Sequence, residues 1–175
     1  MGRWKGIARA RWVVEHADAL AESALETLGR FGFIEYGLPM PIANAWVGDG
    51  RRRKRVDGLL PWHWIALEGD GAGKHENDGA QVIRDQNERE FYLRRLQLDF
   101  VRYNWADVYP SRLPLVEKVR AVIAERPARA EPVRWWKHVP DVGPVEPEAA
   151  DWPSPEPMRL LLPVGWDQDL HTRTR

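Results

Sequence analysis

The residues most able to do chemistry are Val56-Asp57, then Ile65-Ala66-Leu67-Glu68-Gly69-Asp70-Gly71, then Lys74-His75. Asp57 precedes Glu68 by eleven positions, and Glu68 and Asp70 are two apart. On a strand, side chains two apart share a face, so Glu68 and Asp70 project together. With Asp57 on an antiparallel neighbour, three carboxylates would meet at one end of a hairpin. Anions that close are unstable without a cation, and hard oxygen ligands suit Mg²⁺ or Mn²⁺. Such a cation stabilises phosphoryl charge and activates water, so the pattern points to metal-dependent hydrolysis of phosphodiesters.

Each residue also has a plainer reading. Asp57 could be a strand-end turn residue, and Asp70 the cap of an Asp-Gly turn. Glu68 closes an apolar run, where a carboxylate is costly unless it is metal-bound or paired with arginine. His75 suits proton transfer, since imidazole titrates at about 6.5, or is a solvated loop residue. Lys74 could reach a phosphate or stand in solvent. Gln86 and Arg89 interrupt the apolar stripe of a helix and are expected to face the sheet, bracing carboxylates or holding a phosphate; Arg89 could also pair with Asp85 at i, i+4. The run Arg51-Arg52-Arg53-Lys54-Arg55 lies just before Asp57. It reads as a solvated turn or as a surface steering a polyanion such as DNA, with Arg53 and Arg55 on the Asp57 face.

The elements that must position these groups follow from periodicity and turn signals. A basic lead-in (residues 1–16) could be helical, and residues 17–31 carry apolar positions at helical spacing. Gly37-Leu38-Pro39 stops that helix. Strands are expected over 42–47, 53–60 and 62–69, the first two joined by the turn Gly48-Asp49-Gly50. Along the third, Trp62, Trp64 and Ala66 share the Glu68 face, and His63, Ile65 and Leu67 the other. A polar loop, a helix over 81–96, a strand over 98–105 and a helix over 115–125 follow. The prediction is an α/β unit spanning 17–126 around a mixed sheet flanked by helices.

Eleven of the fourteen prolines lie at or beyond Pro110. Residues 127–175 therefore read as an extended, irregular arm, whose tryptophans and apolar stretch 158–164 suggest docking on the domain, on a second copy or on another protein. The 26 basic and 26 acidic residues balance, so global charge names no partner. Without cysteine, disulfides and thiolate metal sites are excluded. No signal-peptide core or long apolar span is visible, so no membrane partner and a cytoplasmic location are expected.

Taken in order, Ser23-x-x-Glu26-x-x-x-Arg30, Gly37-Leu38-Pro39-x-Pro41, Arg55-Val56-Asp57, Glu68-x-Asp70-Gly71 with His75, Asp85-x-x-x-Arg89 and Trp105-Ala106-Asp107-Val108 resemble the DUF559 domain. That domain is a branch of the PD-(D/E)xK restriction-endonuclease-like superfamily, related to very-short-patch-repair endonucleases. The resemblance spans about residues 17–109 and implies an αβββαβ core with its site on the second and third strands. It implies Asp57 and Glu68 as metal-binding acids, with Glu26 of the first helix supplementing them. The superfamily lysine is absent, Asp70 standing in its place, as in the DUF559 branch, where a downstream histidine (His75) lies near the site. Which group activates water stays open. The function implied is a Mg²⁺- or Mn²⁺-dependent DNA endonuclease of repair, restriction or phage-related processing. The alternative is a catalytically inactive nucleic-acid-binding, toxin or interaction module on the same fold.

Overall fold

The computed structural model describes residues 7–71, 80–131 and 133–156. Helix α1 (Ile7–His16) leads in and α2 (Ala24–Tyr36) follows, beginning later than the apolar spacing predicts. Its start is set by capping: the Glu26 N–H donates to Ser23 Oγ, and the Ser23 hydroxyl and Glu22 N–H donate to the Glu26 carboxylate. Ser-x-x-Glu is a helix-start signature that periodicity alone overlooks. Gly37 ends α2 at φ 63°, with its N–H donating to Ile34 O and the Leu38 N–H to Phe33 O, a closure that needs the left-handed region glycine tolerates.

Each of the first two expected strands is broken in two. Residues 42–47 become β1 (Ile42–Ala43) and β2 (Trp46–Gly48), and residues 53–60 become β3 (Arg53–Arg55) and β4 (Gly58–Leu60). Asn44 sits at φ 51° between β1 and β2, and its N–H donates to Asp57 O at 2.9 Å. Asparagine tolerates that left-handed backbone, so the long hairpin bends there and its halves enter different sheets. Strand β5 (Ile65–Gly69) is shorter than predicted, because residues 61–64 form a turn ending in Trp64 at φ 58°. Helix α3 (Ala80–Arg95), strand β6 (Asp99–Tyr103) and helix α5 (Leu113–Glu125) fall close to expectation, with a four-residue helix α4 (Trp105–Val108) between the last two.

One sheet has the order β1-β4-β5-β6, antiparallel except for the parallel β5–β6 pair. Parallel neighbours need a crossover, which α3 supplies. Ile65, Leu67, Val101 and Tyr103 face α2 and α5, packing with Leu25, Phe33 and Leu115. Trp64 and Ala66 face the other way, against Leu93 of α3, Val56 and Trp135. The alternation predicted along β5 is thus observed over residues 64–67. Trp62 and His63 instead belong to the turn, with the His63 ring nitrogen Nδ1 2.8 Å from Arg126 O.

The C-terminal segment is not the irregular arm that its prolines suggest. Strand β7 (Trp135–Val139) pairs with β2 and turns back into β8 (Gly143–Val145), giving a second, antiparallel sheet of order β3-β2-β7-β8. Trp135 and Trp136 are buried there, and Trp152 closes over Trp62 and Trp135. Proline does not prevent this hairpin: the five residues of β7 (135–139) keep their backbone N–H groups before Pro140, and Pro144 sits in β8 at the edge of the sheet. Residues 158–164 lie outside the described residues. Among the described residues no helix is long and apolar enough to cross a membrane.

Candidate functional site

The bend that splits the hairpin leaves Asp57 just before β4, beside the end of β5. Gly58 is opposite Leu67 in the antiparallel register, so Asp57 reaches the level of Glu68 and Gly69. The Gly69 N–H donates to Asp57 Oδ2 at 2.9 Å. Glu68 is buried, and burial pushes its carboxyl up to about 7. The Arg89 guanidinium opposes that rise, and the Asp57 charge reinforces it. Desolvation wins because a carboxylate loses more hydration in this pocket than one half-buried guanidinium returns.

Arg89 reaches Glu68 from α3, its Nη2 donating to Glu68 Oε1 at 2.7 Å and also to the Arg55 carbonyl. Arg89 thus makes the carboxylate contact that a bracing role would need. The side chain of Gln86 lies outside the described residues, as do Lys74 and His75. Arg102, the neighbour of Glu68 on β6, has its Nη1 3.6 Å from Asp70 Oδ1 and also pairs with Glu90.

Glu26 stands on the α2 side, where it lines a small cavity with Asp57 and Tyr103. Both its oxygens accept hydrogen bonds within the helix cap. The acids are therefore divided by the sheet: Glu68 faces α3 with Ala66, Glu26 faces α2, and Asp57 lies between. Among the described residues no three acids or histidines form a group able to hold a metal. Asp57, Glu68 and Asp70, expected from alternation to meet, do not form such a group there.

The basic run lies largely in the second sheet and is mostly compensated. Arg55 makes a two-pronged bond to Glu22 at 2.8 and 3.0 Å. Arg53 lies over the Trp136 ring and Arg52 over Tyr92, at 4.3 and 4.9 Å from the ring centroids. Arg53 and Arg55 thus face other partners than Asp57. Arg51 and Lys54 have no side-chain partner among the described residues.

Tyr103 was not among the residues that the motifs single out. The residue is buried and its ionisation is pushed up, first by burial and then by Asp57, Glu26 and Glu68. A tyrosine on an alternating strand reads as core, and only the parallel β5–β6 register sets it beside the acids.

No protein-family profile matches the chain, and no solved structure matches it. Over 83 residues, 47% of the chain, it is 35% identical to uncharacterized protein MT2308 of Mycobacterium tuberculosis strain CDC 1551 / Oshkosh. Uncharacterized protein Rv2248 of strain H37Rv matches to the same extent. The match spans 30% of each relative's length.

Proposed function

We propose that the chain is a metal-dependent endonuclease hydrolysing DNA phosphodiesters, with Asp57 and Glu68 as the metal-holding acids. The observation that carries this is the register that sets Asp57, just before β4, beside the end of β5 that carries Glu68, with the Gly69 N–H donating to Asp57 Oδ2 at 2.9 Å. Such a pair fits Mg²⁺ or Mn²⁺, because Mg²⁺ commonly takes one or two carboxylates and leaves its other positions to water and substrate phosphate. Asp57 Oδ1 has no hydrogen-bond partner among the described residues. The bound cation would supply Lewis acidity and an activated water.

The chain's own groups do the rest. The Gly69 N–H fixes the Asp57 carboxylate. Arg89, anchored on the Arg55 carbonyl, holds Glu68 and keeps a positive charge next to the place a phosphate would occupy. Asp70 or His75 would assist proton transfer, and Arg51, Lys54 and Lys74 would meet the DNA backbone. The resemblance to the DUF559 domain, with its restriction-endonuclease-like core, supports the same reading, and a cytoplasmic location goes with it.

The test is cleavage of supercoiled plasmid and single-stranded DNA with Mg²⁺, Mn²⁺ or EDTA, comparing wild type with Asp57→Ala and Glu68→Ala. Metal-dependent nicking or linearisation lost in both variants is the expected result. A second reading, a nucleic-acid-binding, toxin or interaction module without catalysis, is favoured by the Arg89–Glu68 ion pair, which already neutralises one acid. It predicts salt-sensitive DNA binding and no cleavage by the folded wild type.

A further inference from the structure

Val101 and Tyr103 of β6 face α2 and α5, so alternation turns Arg102 to the α3 side of the sheet, the side that carries Glu68. The parallel register makes Arg102 the direct neighbour of Glu68. Strand β6 is the outermost of its sheet, and the Asp70 N–H extends the ladder by donating to Tyr103 O at 2.8 Å. Arg102 therefore lies beside both acids at the sheet edge.

Two guanidinium groups thus stand close to Glu68, and they are engaged differently. Arg89, its side chain 25% exposed, donates from Nη1 and Nη2 to the two Glu68 oxygens and from Nη2 to the Arg55 carbonyl. Its fork is occupied by the protein. Arg102, 42% exposed, makes one hydrogen bond among the described residues, from Nη2 to Glu90, while its Nη1 lies 3.6 Å from Asp70 Oδ1. Glu90 is itself shared with Arg94. A guanidinium carries five N–H donors in a planar fork that matches phosphate, so most of the Arg102 fork remains for a ligand. Its charge also acts on Glu68: burial raises that carboxyl, and Arg89 and then Arg102 oppose the rise.

We propose that Arg102 is the substrate-phosphate contact of this site, donating to a non-bridging oxygen of the scissile phosphodiester while Glu90 and Asp70 hold its fork in place. The role rests on the proposed metal-site reading. It divides the two arginines by task, Arg89 securing the acid and Arg102 meeting the anion. A phosphate arriving from solvent can reach a half-exposed edge arginine without breaking the bonds to Glu68. Charge that grows on the phosphoryl oxygens in the transition state strengthens such hydrogen bonds, so the effect falls on kcat more than on KM.

Plasmid cleavage with Mn²⁺ is compared in wild type, Arg102→Gln, Arg102→Lys and Arg94→Ala, together with Mn²⁺ affinity by titration calorimetry and melting temperature. Arg102→Gln should lower kcat about a hundredfold, the size of losing one preorganised donor, with Mn²⁺ affinity and melting temperature unchanged. Arg102→Lys keeps the charge and should recover part of the rate. Arg94→Ala removes the more exposed arginine of the same ion network and should cleave like wild type. Wild-type cleavage by Arg102→Gln overturns the proposal. So does a loss matched by weaker Mn²⁺ binding, which would place Arg102 behind Glu68 instead of on the substrate, or an equal loss in Arg94→Ala, which would make the effect one of general charge. Should the folded wild type cleave nothing, the nuclease reading fails, and binding of a short DNA duplex in EDTA decides the phosphate contact. A salt slope lower by about one in Arg102→Gln supports that contact, and an unchanged slope overturns it.

Discussion

The Glu68 carboxyl is raised to about 7 by burial despite a cation at 2.7 Å. The native state therefore holds a proton that the unfolded chain, with an ordinary carboxyl near 4.5, has released. Its contribution to stability is complete below about 4.5 and is lost as pH rises through about 7, by at most about 3 kcal/mol. Denaturant melts at pH 5 and pH 8 should show stability falling with pH, and Glu68→Gln should flatten the profile. A divalent cation favours the ionised carboxylate, so Mn²⁺ affinity should increase from pH 6 to pH 8. For Asp57, alanine removes the shared acid without opening a core cavity. Plasmid cleavage by Asp57→Ala should vanish while its circular dichroism and DNA affinity match wild type.

At the scale of elements, capping and close approach decide where α2 lies. Ser23→Ala removes the acceptor for the Glu26 N–H and should lower stability by about 1 kcal/mol in a denaturant titration. Gly29→Ala forces a methyl to within 2.9 Å of the Tyr103 ring carbons. A cost of roughly 1–3 kcal/mol is expected, and a neutral result would show that α2 shifts freely over β6. The β2–β7 pairing is the other decisive contact. Trp135, 1% exposed, joins the core that also holds Val47 and Leu93, so Trp135→Ala should cost about 3–5 kcal/mol. Residues 133–156 are thus part of the fold, and cutting the chain before them should destabilise it as well as remove any partner surface.

For the molecule as a whole, neutral net charge conceals an uneven distribution. Most arginines near the site already have partners, and among the described residues of the basic run Arg51 and Lys54 are the cations left to solvent. If this face meets DNA, Arg51→Ala with Lys54→Ala should weaken binding similarly for unrelated sequences. The slope of log affinity against log salt should fall by about one per lost phosphate contact. An unchanged slope would place the DNA surface elsewhere.

What the sequence determined by itself was local. The helices over α3 and α5, strand β6, the glycine stop of α2 and the alternation along β5 are written in neighbouring residues, because each depends on spacing, turn chemistry and β-branched or aromatic content within one segment. Arg89 facing Glu68 was legible for the same reason, as a charge placed on an apolar stripe. The tertiary structure alone decided the rest. The left-handed turn at Asn44 sends one hairpin into two sheets, and a Pro-rich tail supplies two strands to the second. Arg102 arrives beside Glu68 and Asp70, and Tyr103 beside Asp57, through a parallel pairing. Each depends on a partner distant in sequence, and spacing within one segment cannot encode which remote charge or strand a residue will meet.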